Sequence, residues 1–403
     1  MRPRAHPFER TKLADRASAF LGKAWAKGWL PAVSLNPDDL WGIVAKSFGD
    51  KAALFETAGR SDEDVADFRQ RLSKLTHTVE HEAQLNPLGR AMAYGQLSRA
   101  IKQRLQFGQL WADHPALPKT EIAAPIIVIG HMRSGTTRIH RLLAADPAHS
   151  ATRFCDSWHP VPSRFDARLL RGGLNLTIAR WLNPWIDALH PMRSGRVEEE
   201  LGWLACALNH STYETQWRVP SFSAFSEARD AAPVYREFAR ILRTDAAHRR
   251  IAAKPRVMKV PQFSEDLAAV LTQFPNARLV IAQRESEDIL NSAVSVVANQ
   301  MTIQSDTCDL DWITAECQRK LALRDLRMQS ALPGWNGRAA QLQFDALNAD
   351  WESAMEVAYS ELDLEFSQPA RAAMQREIAA SEGSDHHSHA DQIERFAPRS
   401  SAR

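Results

Sequence analysis

The sequence predicts an α/β protein: a parallel sheet flanked by helices, with a helical N-terminal extension in front of it. Three observations carry that expectation. The run Ile126-Ile127-Val128-Ile129 follows Pro125 and stops at Gly130, the pattern of a buried parallel strand entering a tight turn. A second such run, Leu279-Val280-Ile281-Ala282, lies between two stretches of helical periodicity. The segment before residue 120 shows no strand-like alternation at all.

The N-terminal part reads as helices. Asn36-Pro37-Asp38-Asp39 is a helix start, with Asn36 as cap, Pro37 at the first helical position and acids in the first turn. Residues 63–111 carry charges throughout, with apolar residues at helical spacings. A division into a helical extension (1–120) and an α/β domain (121–403) follows from this change of character at Pro125.

After Gly130 a polar turn leads into a helix with Ile139, Leu142 and Leu143 on one face, ended by Asp146-Pro147. Val197, Leu201, Leu204, Ala205 and Leu208 again follow helical spacing. Ser264 is placed to cap a helix whose apolar face is Leu267, Val270, Leu271 and Phe274. Pro275-Asn276 turns the chain into the second strand. A further helix starts near Glu285, with Ile289, Ala293, Val296 and Val297 facing inward. The tail over 381–388, rich in Ser, Asp and His, reads as loop.

Composition narrows the function classes. The 403 residues are 44% hydrophobic and 24% charged, with 50 Lys plus Arg against 48 Asp plus Glu. A global field that would attract nucleic acid or an anionic membrane is not expected, so any basic site is local. No apolar run approaches the roughly 18 residues of a membrane span. The basic N-terminus lacks an apolar signal core, and a cytoplasmic protein is expected. Cys155, Cys206, Cys308 and Cys317 show neither a zinc spacing nor a disulfide framework, and no metal site is expected.

The motif with the most chemistry is Gly130-His131-Met132-Arg133-Ser134-Gly135-Thr136-Thr137, set between strand and helix. Glycines there let the backbone turn its N–H groups into a concavity, and the helix N-terminus and two hydroxyls add further attraction for a phosphate. The loop has both glycines of G-x-x-x-x-G-K-[ST], but Thr136 stands where the lysine belongs and Arg133 supplies the cation. A kinase or ATPase therefore loses its central part.

A basic–Ser–Gly–Thr–Thr loop after a strand resembles the PAPS-dependent sulfotransferases, including bacterial members with a long helical N-terminal region. The resemblance implies a P-loop-like sheet with PAPS as donor and PAP as product, Arg133, Ser134, Gly135, Thr136 and Thr137 wrapping the 5′-phosphosulfate. It further assigns the donor's 3′-phosphate to Arg284 and to Ser292, eight residues on. Those residues are about 12 Å of helix rise apart. Leu85-Asn86-Pro87-Leu88-Gly89-Arg90, Glu198-Glu199-Glu200 and Lys259-Val260-Pro261 extend the likeness. The sequence departs from the family at Ser286, where a proline is usual, at Gln262, where many relatives carry histidine, and at Asp156, where many carry glutamate.

Sulfuryl transfer needs cations at the leaving phosphate and a base for the acceptor. Arg133 and Lys259 are the candidate cations. The base candidates are Asp156 and His159 in Cys155-Asp156-Ser157-Trp158-His159-Pro160, or the acidic run opening a helix at Glu199 and Glu200. His386, His387 and His389 read as a polar tail; in the family the C-terminal segment often returns to the nucleotide with a His-containing stretch, and whether this one does is not legible. Trp158, Trp203 and Trp217 are expected in packing, with an acceptor or adenine pocket as the alternative. A small-molecule acceptor is expected, without nucleic acid or membrane insertion; oligomeric state is not legible. The competing readings are a nucleotide or small-molecule kinase and a non-catalytic nucleotide-binding scaffold.

Overall fold

The computed structural model describes residues 9–131, 134–163, 165–284 and 286–381. In chain order the helices before the sheet are α1 (Lys12–Ala26), α2 (Pro37–Ala45), α3 (Ala52–Thr57), α4 (Asp62–His81) and α5 (Pro87–Asp113). Then come β1 (Ile126–Ile129), α6 (Thr136–Ala145), β2 (Ser150–Ala151), α7 (Phe154–Trp158), α8 (Arg168–Leu182), α9 (Ile186–Leu189) and α10 (Leu201–Cys206). The middle of the chain supplies α11 (Pro220–Glu227), α12 (Ala232–His248), β3 (Arg256–Lys259), α13 (Leu267–Gln273) and β4 (Arg278–Gln283). Last are α14 (Ser286–Gln304), α15 (Leu310–Ala331), β5 (Arg338–Gln343), α16 (Phe344–Ala349), α17 (Trp351–Glu361) and α18 (Gln368–Ser381).

The helix starts follow their capping chemistry. Asn36 accepts from the N–H groups of Asp38 and Asp39, Ser61 from Asp64, and Asn86 from Gly89, with Pro37 and Pro87 at first helical positions. The helical stretch over 63–111 is two helices, because Glu82 to Asn86 breaks the ladder before a fresh cap. Asn86 also ties this region to α14: its N–H donates to Gln304 O (2.9 Å) and its side-chain amide to Ile303 O (3.2 Å). A Cβ on Gly89 would lie 2.0 Å from Gln304 O, so only glycine admits this approach of α5 to α14.

Among the described residues, five strands form one parallel sheet in the order β2-β3-β1-β4-β5. β1 lies between β3 and β4, with Ile127 opposite Met258 on one side and Leu279 on the other. Alternate residues of β1 enter different cores, as the two-residue strand period requires. Ile127 and Ile129 pack with Phe107, Trp111, Trp203 and Phe238, whereas Ile126 and Val128 pack with Ile139, Leu142, Val257 and Tyr359. A further core joins the first helices to the middle of the chain through Leu72, Leu97, Leu105, Tyr213, Trp217 and Phe222.

Several local expectations are corrected. β2, β3 and β5 are additional strands; β3 starts with arginine and ends with lysine, and β5 is the polar-rich Arg-Ala-Ala-Gln-Leu-Gln, so neither has an apolar run to betray it. Ser264 does not cap α13, because a 3₁₀ turn over Pro261–Ser264 intervenes and Asp266 takes the cap position. The helix expected across 197–208 is only α10: Val197 pairs with Arg153 in an isolated bridge, and Leu208 has φ +54°. Val296 is half-buried, and Val294 and Ala298 take the inward places beside Ala293 and Val297.

Candidate functional site

The sheet brings the sequence motifs to one edge. The loop at 130–137 leaves the C-terminal end of β1, Arg284 follows the end of β4, and β1 and β4 are parallel neighbours in register from Ile126–Arg278 to Ile129–Ile281. Lys259 closes β3 on the opposite side of β1. Adjacent parallel strands run about 4.8 Å apart. Three segments far apart in sequence therefore issue side by side at the carboxyl ends of strands, where α/β sheets present ligand crevices.

The turn after β1 is held from both ends. Gly130 has φ +137° and donates its N–H to Ser264 Oγ (3.1 Å); Ser134 Oγ donates to His131 O (2.8 Å). His131 Nε2 meets Asp325 Oδ1 at 2.8 Å, fastening the loop to α15. Gly135 caps α6 at φ +87°, in the left-handed region. A Cβ there would stand 2.4 Å from the Phe344 ring, so Phe344 packs directly on the loop. The Arg284 guanidinium lies over the same ring at 4.4 Å from its centroid. Phe344 thus joins the turn after β1 to the cation after β4. Ser134 and Thr136 are buried, and Ser292 is buried along α14. Met132 and Arg133 lie outside the described residues, as do His386, His387 and His389.

On the other flank, Lys259 Nζ donates to Thr137 Oγ1 (3.2 Å) and pairs with Glu199 Oε1. The Lys259 backbone N–H donates to Glu200 Oε2 (3.0 Å). Glu200 is fully enclosed and its Oε1 has no hydrogen-bond partner. Burial pushes its carboxyl up to about 8, against the pull of Thr152 and of the Lys259 N–H. Glu198 bonds His190 Nε2 (2.8 Å); burial works to raise its carboxyl, but the imidazole and Lys259 hold it below the usual range. His140, on α6, is pushed down to about 3 by burial and then by the Lys259 charge.

Asp156, inside α7, and His159, the residue that ends it, have other surroundings. Asp156 is fully buried and accepts from Arg153 Nε (2.7 Å) and Nη2 (2.9 Å), with Arg168 at 3.2 Å and Arg249 at 3.4 Å. Desolvation opposes its charge, yet the Arg153 bond and the Arg249, Arg153 and Arg168 charges keep it ionised and below the usual carboxylate value. Both oxygens are engaged by arginines. His159 Nε2 lies 3.0 Å from Asn175 Nδ2, and burial followed by Arg99, Arg171 and Arg168 lowers it to about 4. Trp203 and Trp217 are core side chains, donating to Asp156 O and Gln304 Oε1 (2.9 and 2.8 Å). Trp158 is half-buried with Arg99 over its ring. Gln262 is buried in the 3₁₀ turn after β3.

Sequence reasoning missed Phe344, Asp325, the Ser264 contact and the role of Glu199 as partner of Lys259. Each is a contact between elements more than 60 positions apart or between a loop and an unpredicted strand end. The alternation of buried Ala340 and Leu342 in β5 was the one signal for the strand that delivers Phe344.

A family model described as "Sulfotransferase family" matches residues 125–368. Among solved structures the chain is similar to the sulfotransferase STF1 from Mycobacterium tuberculosis H37Rv, with a TM-score of 0.72 and 25% identity over 90% of this chain and 98% of that one. It shares its fold with the sulfotransferase STF9 from Mycobacterium avium, with a TM-score of 0.74 and 20% identity over 86% of this chain and 88% of that one. The comparison with curated proteins gives no match.

Proposed function

This chain belongs to the sulfotransferase family, and we propose that it moves a sulfuryl group from PAPS to a hydroxyl or amine of a small acceptor by in-line displacement. The observation that carries the reading is the register of β1 with β4, which sets the turn of 130–137 beside Arg284. A donor with a 5′-phosphosulfate and a 3′-phosphate requires two such anion sites, one at each strand end.

The residues fit that donor. Left-handed Gly135 and the positive φ of Gly130 bend the turn so that N–H groups at the start of α6 are available to an anion. Ser134, Gly135, Thr136 and Thr137 would hold the 5′ end, together with Arg133 by the sequence motif. Arg284, steadied on Phe344, and Ser292 would hold the 3′-phosphate. The α/β part (121–403) then carries the donor, and the N-terminal part (1–120) supports it through Phe107 and Trp111 in the central core.

Lys259 is the cation for the leaving phosphate oxygen, since its ammonium already contacts Thr137. Glu199, in place of Asp156 or His159, is the base: it takes the proton from the acceptor as the acceptor oxygen bonds to sulfur and the bond from sulfur to the 5′-phosphate breaks. Its pairing with Lys259 puts carboxylate and ammonium at one locus beside Thr137. Titration calorimetry with PAP, with ATP plus magnesium as control, tests the reading. Tight PAP binding that collapses in Arg284→Ala is expected; ATP binding alone, or indifference to Arg284, overturns it.

A further inference from the structure

Helix α8 is built inside out. Its inward side carries Gly172 and Leu176, whereas Leu170, Leu174 and Trp181 are 77%, 61% and 64% exposed, and Ile178 is exposed beside them. These four fall on one helical face, at steps of four, four and three residues. A surface helix ordinarily turns such a face to the core. A contiguous apolar patch of this kind marks an interaction surface, whereas single exposed apolar residues do not.

α1 adjoins it. Thr11 Oγ1 donates to Leu182 O (3.1 Å), and Ala17, Leu21 and Leu182 share one small core. The outward face of α1 is a stripe of exposed Lys12, Arg16, Lys23 and Lys27, edged by exposed Leu13 and Phe20. Exposed Trp29 follows, with the Lys23 and Lys27 ammonium groups 5.8 and 5.1 Å from its ring centroid. The one acid within α1, Asp15, is bonded to Arg10. In α8, Arg168 is buried and pairs with Asp166 and Asp156, and Arg180 pairs with Asp187, so the uncompensated basic charge comes mainly from α1. Because the whole chain carries a net charge of only +2, this basic stripe is a local feature.

We propose that the outward face of α8, with the basic stripe of α1, docks on a membrane surface bearing anionic headgroups. Apolar side chains with tryptophan, edged by Lys and Arg, match the boundary between acyl chains and headgroups. Charge selects this occupant over a second copy of the chain, since pairing two such faces gathers basic stripes with no acidic counterpart. Among the described residues no helix is long and apolar enough to cross a membrane, so the face lies on the bilayer. α8 also touches α7: Asn175 bonds His159 at its end, and Gly172 packs on Cys155. The acceptor class that follows, an amphiphilic hydroxyl presented by the bilayer, rests on the proposed transfer; the docking does not.

Co-sedimentation of the full chain with vesicles of phosphatidylcholine, with and without phosphatidylglycerol, tests the docking, with PAP titration and light scattering alongside. Binding to the anionic vesicles that weakens with salt is expected. The variants Leu174→Ser with Trp181→Ser, and Lys23→Glu with Lys27→Glu, should each weaken it roughly tenfold or more, with melting temperature and PAP affinity unchanged. Vesicle binding that ignores both variants, or none at any composition, overturns the proposal. A dimer in lipid-free solution that Leu174→Ser with Trp181→Ser dissolves also overturns it, assigning the face to a second copy. Loss of PAP binding in the parent chain would instead sink the sulfotransferase reading and leave the docking result standing.

Discussion

Lys259 and Glu199 form an ion pair at the C-terminal end of β3, with both side chains largely shielded from water and Thr137 as the third member. The pair couples the turn after β1 to the acidic run at 198–200. Lys259→Ala should weaken PAP binding and abolish transfer. Glu199→Gln leaves the ammonium and the turn in place, so PAP affinity should hold or rise while kcat falls about 10²-fold or more. Calorimetry and single-turnover assays separate the two; a Glu199→Gln enzyme with full kcat would exclude it as the base.

Arg284 and Phe344 predict a graded series. Removing the guanidinium should cost PAP affinity about tenfold to a hundredfold, the usual range for a charge-assisted contact to phosphate. Phe344→Ala keeps the charge but removes the surface on which it rests, so a smaller loss is expected. Isothermal titration of both variants and the double variant checks the order, and the double variant should lose less than the sum of the singles.

Gly135→Ala should destabilise the fold by about 1–3 kcal/mol, because a Cβ is disfavoured at φ +87° and also meets the Phe344 ring. Phe344→Ala in the same chain should recover only part of the loss, since the steric clash is relieved and the backbone strain is not. Urea unfolding of the two single variants and the double variant measures the split.

Asp156→Asn tests the anchoring role. The substitution leaves Arg153, Arg168 and Arg249 around a neutral amide, and uncompensated buried charge costs about 3–5 kcal/mol. A large fall in the denaturation midpoint is therefore expected, with the turnover of the folded fraction retained. A stable Asp156→Asn enzyme without activity would return the base to this position.

Glu200 gives a pH signature. Its carboxyl titrates near 8 when folded, above its ordinary value of 4.5. The folded state thus holds a proton that the unfolded chain releases, and stability from this group is complete below about pH 4.5 and lost as pH rises through about 8. Glu200→Gln should flatten that decline. Melting temperatures between pH 5 and 9 for the parent and the variant make the comparison.

The strands that an apolar run announces, at Ile126 and Leu279, were legible because burial on both faces demands continuous β-branched and aliphatic residues. The turn at 130–137 was legible because a phosphate-loop motif is written in neighbouring positions: glycine, hydroxyl and cation follow one another within eight residues. β3 and β5 were not, since both are rich in polar residues and their apolar content is small; β5 is an edge strand with alternate residues exposed. The arginine partners of Asp156 were hidden for a related reason. A carboxylate in a short helix such as α7 has the same spelling whether it faces a ligand or three arginines.

By itself, the sequence determined the central strands, the turn that suits an anion, and the candidate cations Arg284 and Lys259. The tertiary structure alone decided which of them meet. Strand order places β3 and β4 on either side of β1, and so brings Lys259 to Thr137 and Arg284 to the far flank. It also assigns Glu199 to Lys259, Asp156 to the arginines, and the apolar side of α8 to the outside. Those pairings depend on contacts between residues distant along the chain, and packing and charge compensation select them only once the sheet has formed.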